Sequence, residues 1–428
     1  MDNQVQESNF SPWTVVFGGF LVMALLHSMI QTCFSLFMSP VVEEMNISRT
    51  SFSFCTSLVA IATAILAPSM GRFLSDIRKG GKILVFCIIG MGISYISYSM
   101  ATKIWHMYIS ATLVGVFSCG AISMPISIII NNWFTKLKGT AMSIALAGSG
   151  LGGSIITPIL TNLIAEKGWR AGFIYFGIAM IVIEVPIVLL CMPHSPELKH
   201  TDPFGGRAYQ ETLPEKDIPL TWLKKQPFFY VYLVGMFAVS FVGYGSLSHL
   251  SVHITDNFDS NFSNAIISFF LLILTPSKII LGWIYDKIGA KAGTIIVMIS
   301  HAVSFAILQF AGNESIMWIM AILYSIGISN GTVAPSVVTA ILFGSDNYGA
   351  VFGYVYAFCM LGMVLGSPFL ALVYDTTGSY YLGWATCMVM CLLSIACLVY
   401  TVNRCQKLKD ALVADIDIFD NCKNVADS

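Results

Sequence analysis

The chain has 428 residues, 56% of them apolar (AVILMFWYC) and only 11% charged, against about 45–50% and about 25% in soluble globular proteins. The charge deficit excludes an ordinary soluble enzyme, and the apolar excess excludes disorder, which needs the opposite bias. A mean hydropathy of +0.77 means membrane sequence throughout. A net charge of −1 leaves no bulk basic field for nucleic acid.

The opening segment MDNQVQESNFSPW is polar and slightly acidic and lacks the basic start of a cleaved signal peptide. The first apolar run is therefore expected to stay as a spanning helix. Such a helix needs about 20 mostly apolar residues. Twelve runs qualify, roughly 13–37, 50–71, 83–101, 106–130, 139–164, 171–192, 227–249, 263–285, 292–311, 315–342, 349–374 and 381–402. The expected fold class is an all-α membrane protein of twelve transmembrane helices in two pseudo-symmetric six-helix bundles. The expected organisation is an N-terminal bundle (1–192), a linker (193–226), a C-terminal bundle (227–402) and a tail (403–428). The linker carries five prolines and mixed charge, the composition of a surface connection. The tail turns acidic after Arg404 and reads as a solvated end.

Orientation follows from lysine and arginine placement. With the N-terminus in the cytoplasm, 17 of the 22 basic residues fall on cytoplasmic segments and four on outer loops, leaving Lys278 inside a span. Both termini are therefore expected in the cytoplasm of a multi-pass protein of the plasma or inner membrane. The eleven cysteines fall in apolar spans or on the cytoplasmic side, which suits small buried hydrophobes.

The halves match at an offset of 210 residues. Asp76 pairs with Asp286, Pro125 with Pro335, Gly139 with Gly349, Gly152 with Gly362, Pro158 with Pro368 and Gly168 with Gly378. Prolines and glycines fix or free the backbone, so their recurrence at equal depths marks shared local geometry. Parallel six-helix repeats of this kind occur in transporters whose substrate site lies near the midplane between the halves.

Lys278 lies eight residues before Asp286, about 12 Å along a helix. A central lysine costs about 2.5–3.5 kcal/mol on the lenient insertion scale. It calls for a compensating anion, from substrate or protein, or for snorkelling; no acid sits near it on spans 7, 8, 10 or 11. His27, Gln31 and Ser35 are spaced by four on span 1 and share a face; His27 also suits a satisfied interior histidine. Tyr244, Tyr324, Asn330, Tyr354 and Phe358 fall on spans 7, 10 and 11, where they would line a cavity collectively or simply pack. Glu184 is the one acid deep inside a span, and reads as a glutamate packed between helices rather than a proton carrier. Gly148-Ser-Gly150-Leu-Gly152-Gly153 matches GxGxxG but follows no strand. Close helix packing explains it better than a dinucleotide. His249 and His253 are spaced like a metal pair without a third ligand, so no metal or other cofactor is expected. No nucleophile–base set appears, so no catalytic residues are assigned.

After span 8 the chain reads Gly282-Trp-Ile-Tyr-Asp286-Lys287-Ile-Gly289-Ala-Lys291. This resembles the GxxxD(R/K)xG loop signature of the major facilitator superfamily. A looser first-half copy contains Gly71, Asp76 and Arg78, with its first glycine one residue early. The resemblance implies gating by Asp286, Gly282, Lys287, Gly289, Asp76 and Arg78. Gln31–Pro40 and the stretch Trp133-Phe134-Thr-Lys136-Leu-Lys138-Gly139 through Gly148-Ser-Gly150 are similar to the oxalate–formate antiporter and monocarboxylate porter branch. Lys278-xxx-Gly282-xxx-Asp286 is similar to that branch's helix-8 Arg-xxx-Gly-xxx-Asp. The branch implies that Lys278 holds a substrate carboxylate, and Gln31 matches its cavity glutamine. Two departures stand out. Span 11 lacks the second lysine of oxalate-type members, and Leu274 replaces the acid or amide that some proton-coupled porters carry.

The expected function is secondary transport of a small organic anion, a monocarboxylate, by alternating access. A proton or counter-anion is the coupling partner, and the carrier works as a monomer in the lipid bilayer. An oxalate/formate-type exchanger, a transporter-like carboxylate receptor and a carrier of drugs or neutral solutes are the alternatives.

Overall fold

The computed structural model describes residues 10–206, 220–309, 314–344 and 347–426. The first nine residues and the middle of the linker lie outside the described residues, as do the side chains of the acidic tail from residue 409 onward. Among the described residues ten helices are long and apolar enough to span a bilayer. Two of these, Lys138–Cys191 and Ser260–Gln309, each contain a glycine with non-helical, positive φ, Gly168 (φ 80°) and Gly289 (φ 81°). The chain folds back there: a β-carbon on Gly172 would sit 3.3 Å from Leu160 Cδ1, and one on Gly293 2.8 Å from Tyr285 Cδ1. Residues eight or more apart along one straight helix are separated by about 12 Å or more. The helices are therefore hairpins, and the chain makes twelve crossings.

We label them α1 (Pro12–Met45), α2 (Arg49–Ser75), α3 (Gly80–Met100), α4 (Ile104–Trp133), α5 (138–167), α6 (169–191), α7 (Pro227–Asn257), α8 (260–288), α9 (290–309), α10 (Glu314–Phe343), α11 (Tyr348–Thr377) and α12 (Tyr381–Ala426). Most extend a few residues beyond the apolar runs that predict them, because helical hydrogen bonding continues past the hydrocarbon edge. Helix α1 is not regular. It passes through a π-helical stretch, Met23–Thr32, and a 3₁₀ turn, Cys33–Phe37. Wide π turns are rare and collect at functional sites.

The repeat is visible in packing. A β-carbon on Gly152 would lie 1.9 Å from Ala24 O, and one on Gly148 2.1 Å from Phe20 O. The glycine-rich run is thus where α5 presses on α1 backbone to backbone. In the second half, Gly362 and Gly366 meet Phe237 O at 2.4 Å and Phe241 O at 2.5 Å in the same way, so α11 lies on α7 as α5 lies on α1. Between the halves α5 packs on α8, and α2 on α11.

The linker's first part is strapped to the N-terminal half. Phe204 N–H donates to Trp133 O (2.8 Å), and Thr135 N–H donates to Phe204 O (2.9 Å). Trp133 Nε1 donates to Pro193 O (2.6 Å) and Asn132 Nδ2 to His194 O (3.1 Å). His194 is buried under the α2–α3 turn, where a β-carbon on Gly80 would meet its ring at 2.4 Å.

Candidate functional site

A cavity lies between the halves. His27 and Gln31 of α1 line it, with Ser118, Ser123 and Ser127 of α4 and Leu146 of α5. From the other half come Tyr244 of α7, Thr332 and Ser336 of α10, and Tyr356, Met360 and Met363 of α11. Gln31, Tyr244 and Met363 also line a second space with Ser53, Thr56 and Ser57 of α2 and Ser367 of α11. The void thus continues toward one end of the bundle, the end where α2 begins and α11 finishes. Hydroxyls and the Gln31 amide dominate the first-half wall, whereas tyrosine and methionine dominate the second.

The opposite end is shut. Asp286, at the end of α8, accepts from Gly139 N–H at Oδ1 (2.8 Å), and from Thr140 N–H (2.7 Å) and Thr140 Oγ1 (2.6 Å) at Oδ2. The carboxylate caps the first turn of α5 across the half-to-half boundary, where orphan amides and the helix dipole favour an anion. Gly282 allows this approach: a β-carbon there would meet Ser143 Oγ at 2.0 Å and Gly139 O at 2.3 Å. Gly289 makes the α8–α9 turn, and Lys287 is exposed beside it. The first-half copy behaves differently. Asp76 accepts from Arg78 N–H (2.9 Å) and Lys79 N–H (3.2 Å) inside its own turn. Asp76 follows Gly71 by five residues, whereas Asp286 follows Gly282 by four. That register step turns the carboxylate away from α11. Backbone packing replaces it there, with a β-carbon on Gly349 falling 2.3 Å from Ser75 Oγ.

Lys278 is 5% exposed and does not line the cavity. Its Nζ donates to Ser149 Oγ of α5 at 2.8 Å, and it acts electrostatically on His27. Among the described residues no carboxylate lies within ion-pair distance of it. Tyr324, Asn330, Tyr354 and Phe358 are likewise absent from the cavity wall. Tyr324 OH bonds Ser246 Oγ (2.7 Å), and Asn330 Oδ1 accepts from Tyr285 OH (2.7 Å). Both face the interior of the second half. Tyr354 OH accepts from Lys224 at the linker's end, and Phe358 packs against the core. Ser35 is exposed and donates to Thr32 O. Glu184 is buried, and neither of its oxygens finds a partner among the described residues. His249 bonds Tyr380 OH (3.1 Å) and Ser367 O (2.9 Å), a packing role. Sequence reasoning missed Ser149, the α4 serines and the α11 methionines. Ser123 and Ser127, four apart in an apolar run, were the available signal.

Two six-helix bundles enclosing a polar cavity, open along one path and sealed at the other end, define a membrane carrier rather than an enzyme. Residues 20–343 match the family description Major Facilitator Superfamily, and the chain belongs to that family; it is a multi-pass membrane transporter. It is 25% identical over 395 residues to the MFS-type transporter hasB of Aspergillus fumigatus, covering 87% of this chain and 84% of that one. It is 23% identical over 404 residues to monocarboxylate transporter 12 of Rattus norvegicus, covering 88% and 82%. Among solved structures it resembles the human organic anion transporter MFSD10 (TETRAN), with a TM-score of 0.66 at 16% identity, covering 90% of this chain and 98% of that one. It also resembles the proton:xylose symporter XylE, with a TM-score of 0.68 at 14% identity, covering 91% and 95%.

Proposed function

We propose that the protein is a secondary carrier of a small monocarboxylate, and that Lys278 supplies the charge that holds it. The observation that carries this reading is a buried ammonium on α8 whose hydrogen-bond partner among the described residues is one neutral hydroxyl, Ser149 Oγ of the other half. An ammonium has three N–H donors, so two remain for a carboxylate. Similarity to monocarboxylate transporters supports the same substrate class. Gln31 and Tyr244 line the path by which substrate enters, and the hydroxyl wall offers donors to an oxygen-rich solute.

In this reading both termini are cytoplasmic, the carrier works as a monomer in the cell membrane, and the structure is the outward-facing state. Asp286 then latches the cytoplasmic side and yields when the halves rock. A proton or an exchanged anion balances the charge. The test is uptake of labelled lactate, pyruvate, formate and oxalate into proteoliposomes, with and without a proton gradient and internal counter-anion. Lys278→Gln should abolish uptake in a protein that still inserts. Lys278→Arg should keep part of it, since charge is retained on a differently shaped head. Parental uptake by folded Lys278→Gln would overturn the proposal.

A further inference from the structure

Ser149 joins three helices. Its Oγ lies 3.0 Å from Leu146 O and 2.8 Å from Lys278 Nζ. A hydroxyl has one hydrogen to give; it goes to the carbonyl, so the ammonium donates to the hydroxyl oxygen. The Ser149 carbonyl in turn accepts from Ser28 Oγ at 2.9 Å. Ser149 thereby ties α5 to α1 within one half and to α8 of the other. Leu146, whose carbonyl accepts from Ser149, lines the cavity, so Ser149 lies within one helical turn of the cavity wall. A hydroxyl is a weak counterpart for a buried cation, which a carboxylate would satisfy far better.

We propose that Ser149 is the positioning residue of Lys278: it parks the ammonium against α5 in the empty carrier, and an incoming monocarboxylate displaces it. This rests on the reading of Lys278 as the carboxylate's ligand. The exchange of partners breaks a bond between the halves, so loading the site and loosening the α5–α8 contact become one event. Parking also lowers affinity, because substrate must first win the ammonium from Ser149. Without the hydroxyl the substrate-bound form is favoured and release slows.

The experiment uses the full chain in proteoliposomes, with labelled lactate, pyruvate and formate as probes for equilibrium binding and for initial rates. Ser149→Ala should bind the transported probe about tenfold more tightly, the low end for losing a charge-assisted hydrogen bond, with lower kcat. Ser149→Thr keeps the hydroxyl and should restore both values. Ser149→Asp should lose binding, because Lys278 stays paired. Ser149→Cys, close in volume and a weak acceptor, should follow Ser149→Ala and serves if the alanine variant does not fold. Parental Kd and kcat in Ser149→Ala, with or without a drop in thermal stability, would overturn the parking role. If Lys278→Gln loses probe binding in that same series, the carboxylate reading survives; if Lys278→Gln binds as the parent does, that underlying reading fails instead.

Discussion

At the scale of single residues, His194 shows how burial alone makes a group sensitive to pH. It sits 2% exposed at the head of the linker, beyond the end of α6, beside the Leu74 carbonyl. Burial pushes its imidazole below the ordinary 6.5, while the Leu74 carbonyl and the Asp76 carboxylate oppose that fall. The neutral ring is thus the form that packs. When the segment is undocked, the ring protonates as pH drops through 6.5; when docked, it resists. The docked state therefore keeps its full stability above that value and loses it as pH falls toward the depressed one. We expect hydrogen exchange in residues 193–206, corrected for intrinsic rate, to rise in the parent below pH 6.5. In His194→Gln it should stay flat, and an equal acid response in both proteins would refute the assignment. Sequence could not supply this, because a histidine after a proline carries no mark of what covers it. Lys278 was legible for the opposite reason: one charge in an apolar span is visible against its background. Its partner was not, since Ser149 lies in a glycine run whose packing role accounts for it equally well.

At the scale of elements, glycine decides which helices can touch. Valine at Gly152 would drive a branched side chain into Ala24 O, where even a β-carbon would lie 1.9 Å away. Overpacking typically costs about 1–3 kcal/mol, and here the obstacle is backbone rather than a side chain that could move. We expect Gly152→Val to lower the melting temperature or abolish folded yield on size-exclusion chromatography. Gly153→Ala is the milder control, because its β-carbon would meet Thr32 Cγ2 at 3.1 Å, a side chain able to give. The α8–α5 latch makes a second prediction. Asp286 uses both oxygens as acceptors, and asparagine offers only one. Losing a helix cap costs about 0.5–2 kcal/mol, enough to shift a two-state gate about tenfold. Asp286→Asn should therefore change maximal rate more than equilibrium affinity and increase thiol labelling of a Ser143→Cys reporter. Unchanged kinetics together with unchanged labelling would rule the latch out. Helix number and the repeat were readable because a span must be apolar over a fixed length; the helix ends were not, since α12 continues to Ala426 through the expected tail. The rotation of each helix was not. A helix apolar on all sides has no hydrophobic face to read, so nothing in its pattern separates the cavity side of α10, with Thr332 and Ser336, from the packed side with Tyr324 and Asn330. The π-helical stretch of α1 was hidden for the same reason.

At the scale of the whole molecule, the one fixed charge that the proposed function gives to the substrate's carboxylate sets what can be carried. Lys278 is the single lysine or arginine inside a span, and α11 contributes methionine and tyrosine to the cavity wall. A dianion brought to one fixed positive charge keeps an unpaired charge in a poorly solvated space, which is strongly unfavourable. A monocarboxylate leaves none. We therefore expect a wide preference for monocarboxylates over oxalate, and we expect Met360→Lys, which adds a cation to the α11 wall, to narrow it. His27 is the group that could change this balance, because it lines the cavity and feels Lys278. Competition binding in the parent and in His27→Gln separates the two cases. Oxalate binding as tightly as lactate in His27→Gln would defeat the single-charge argument. Tight oxalate binding by the parent that His27→Gln abolishes would make His27 a second ligand. In that case the preference for monocarboxylates over oxalate returns in His27→Gln.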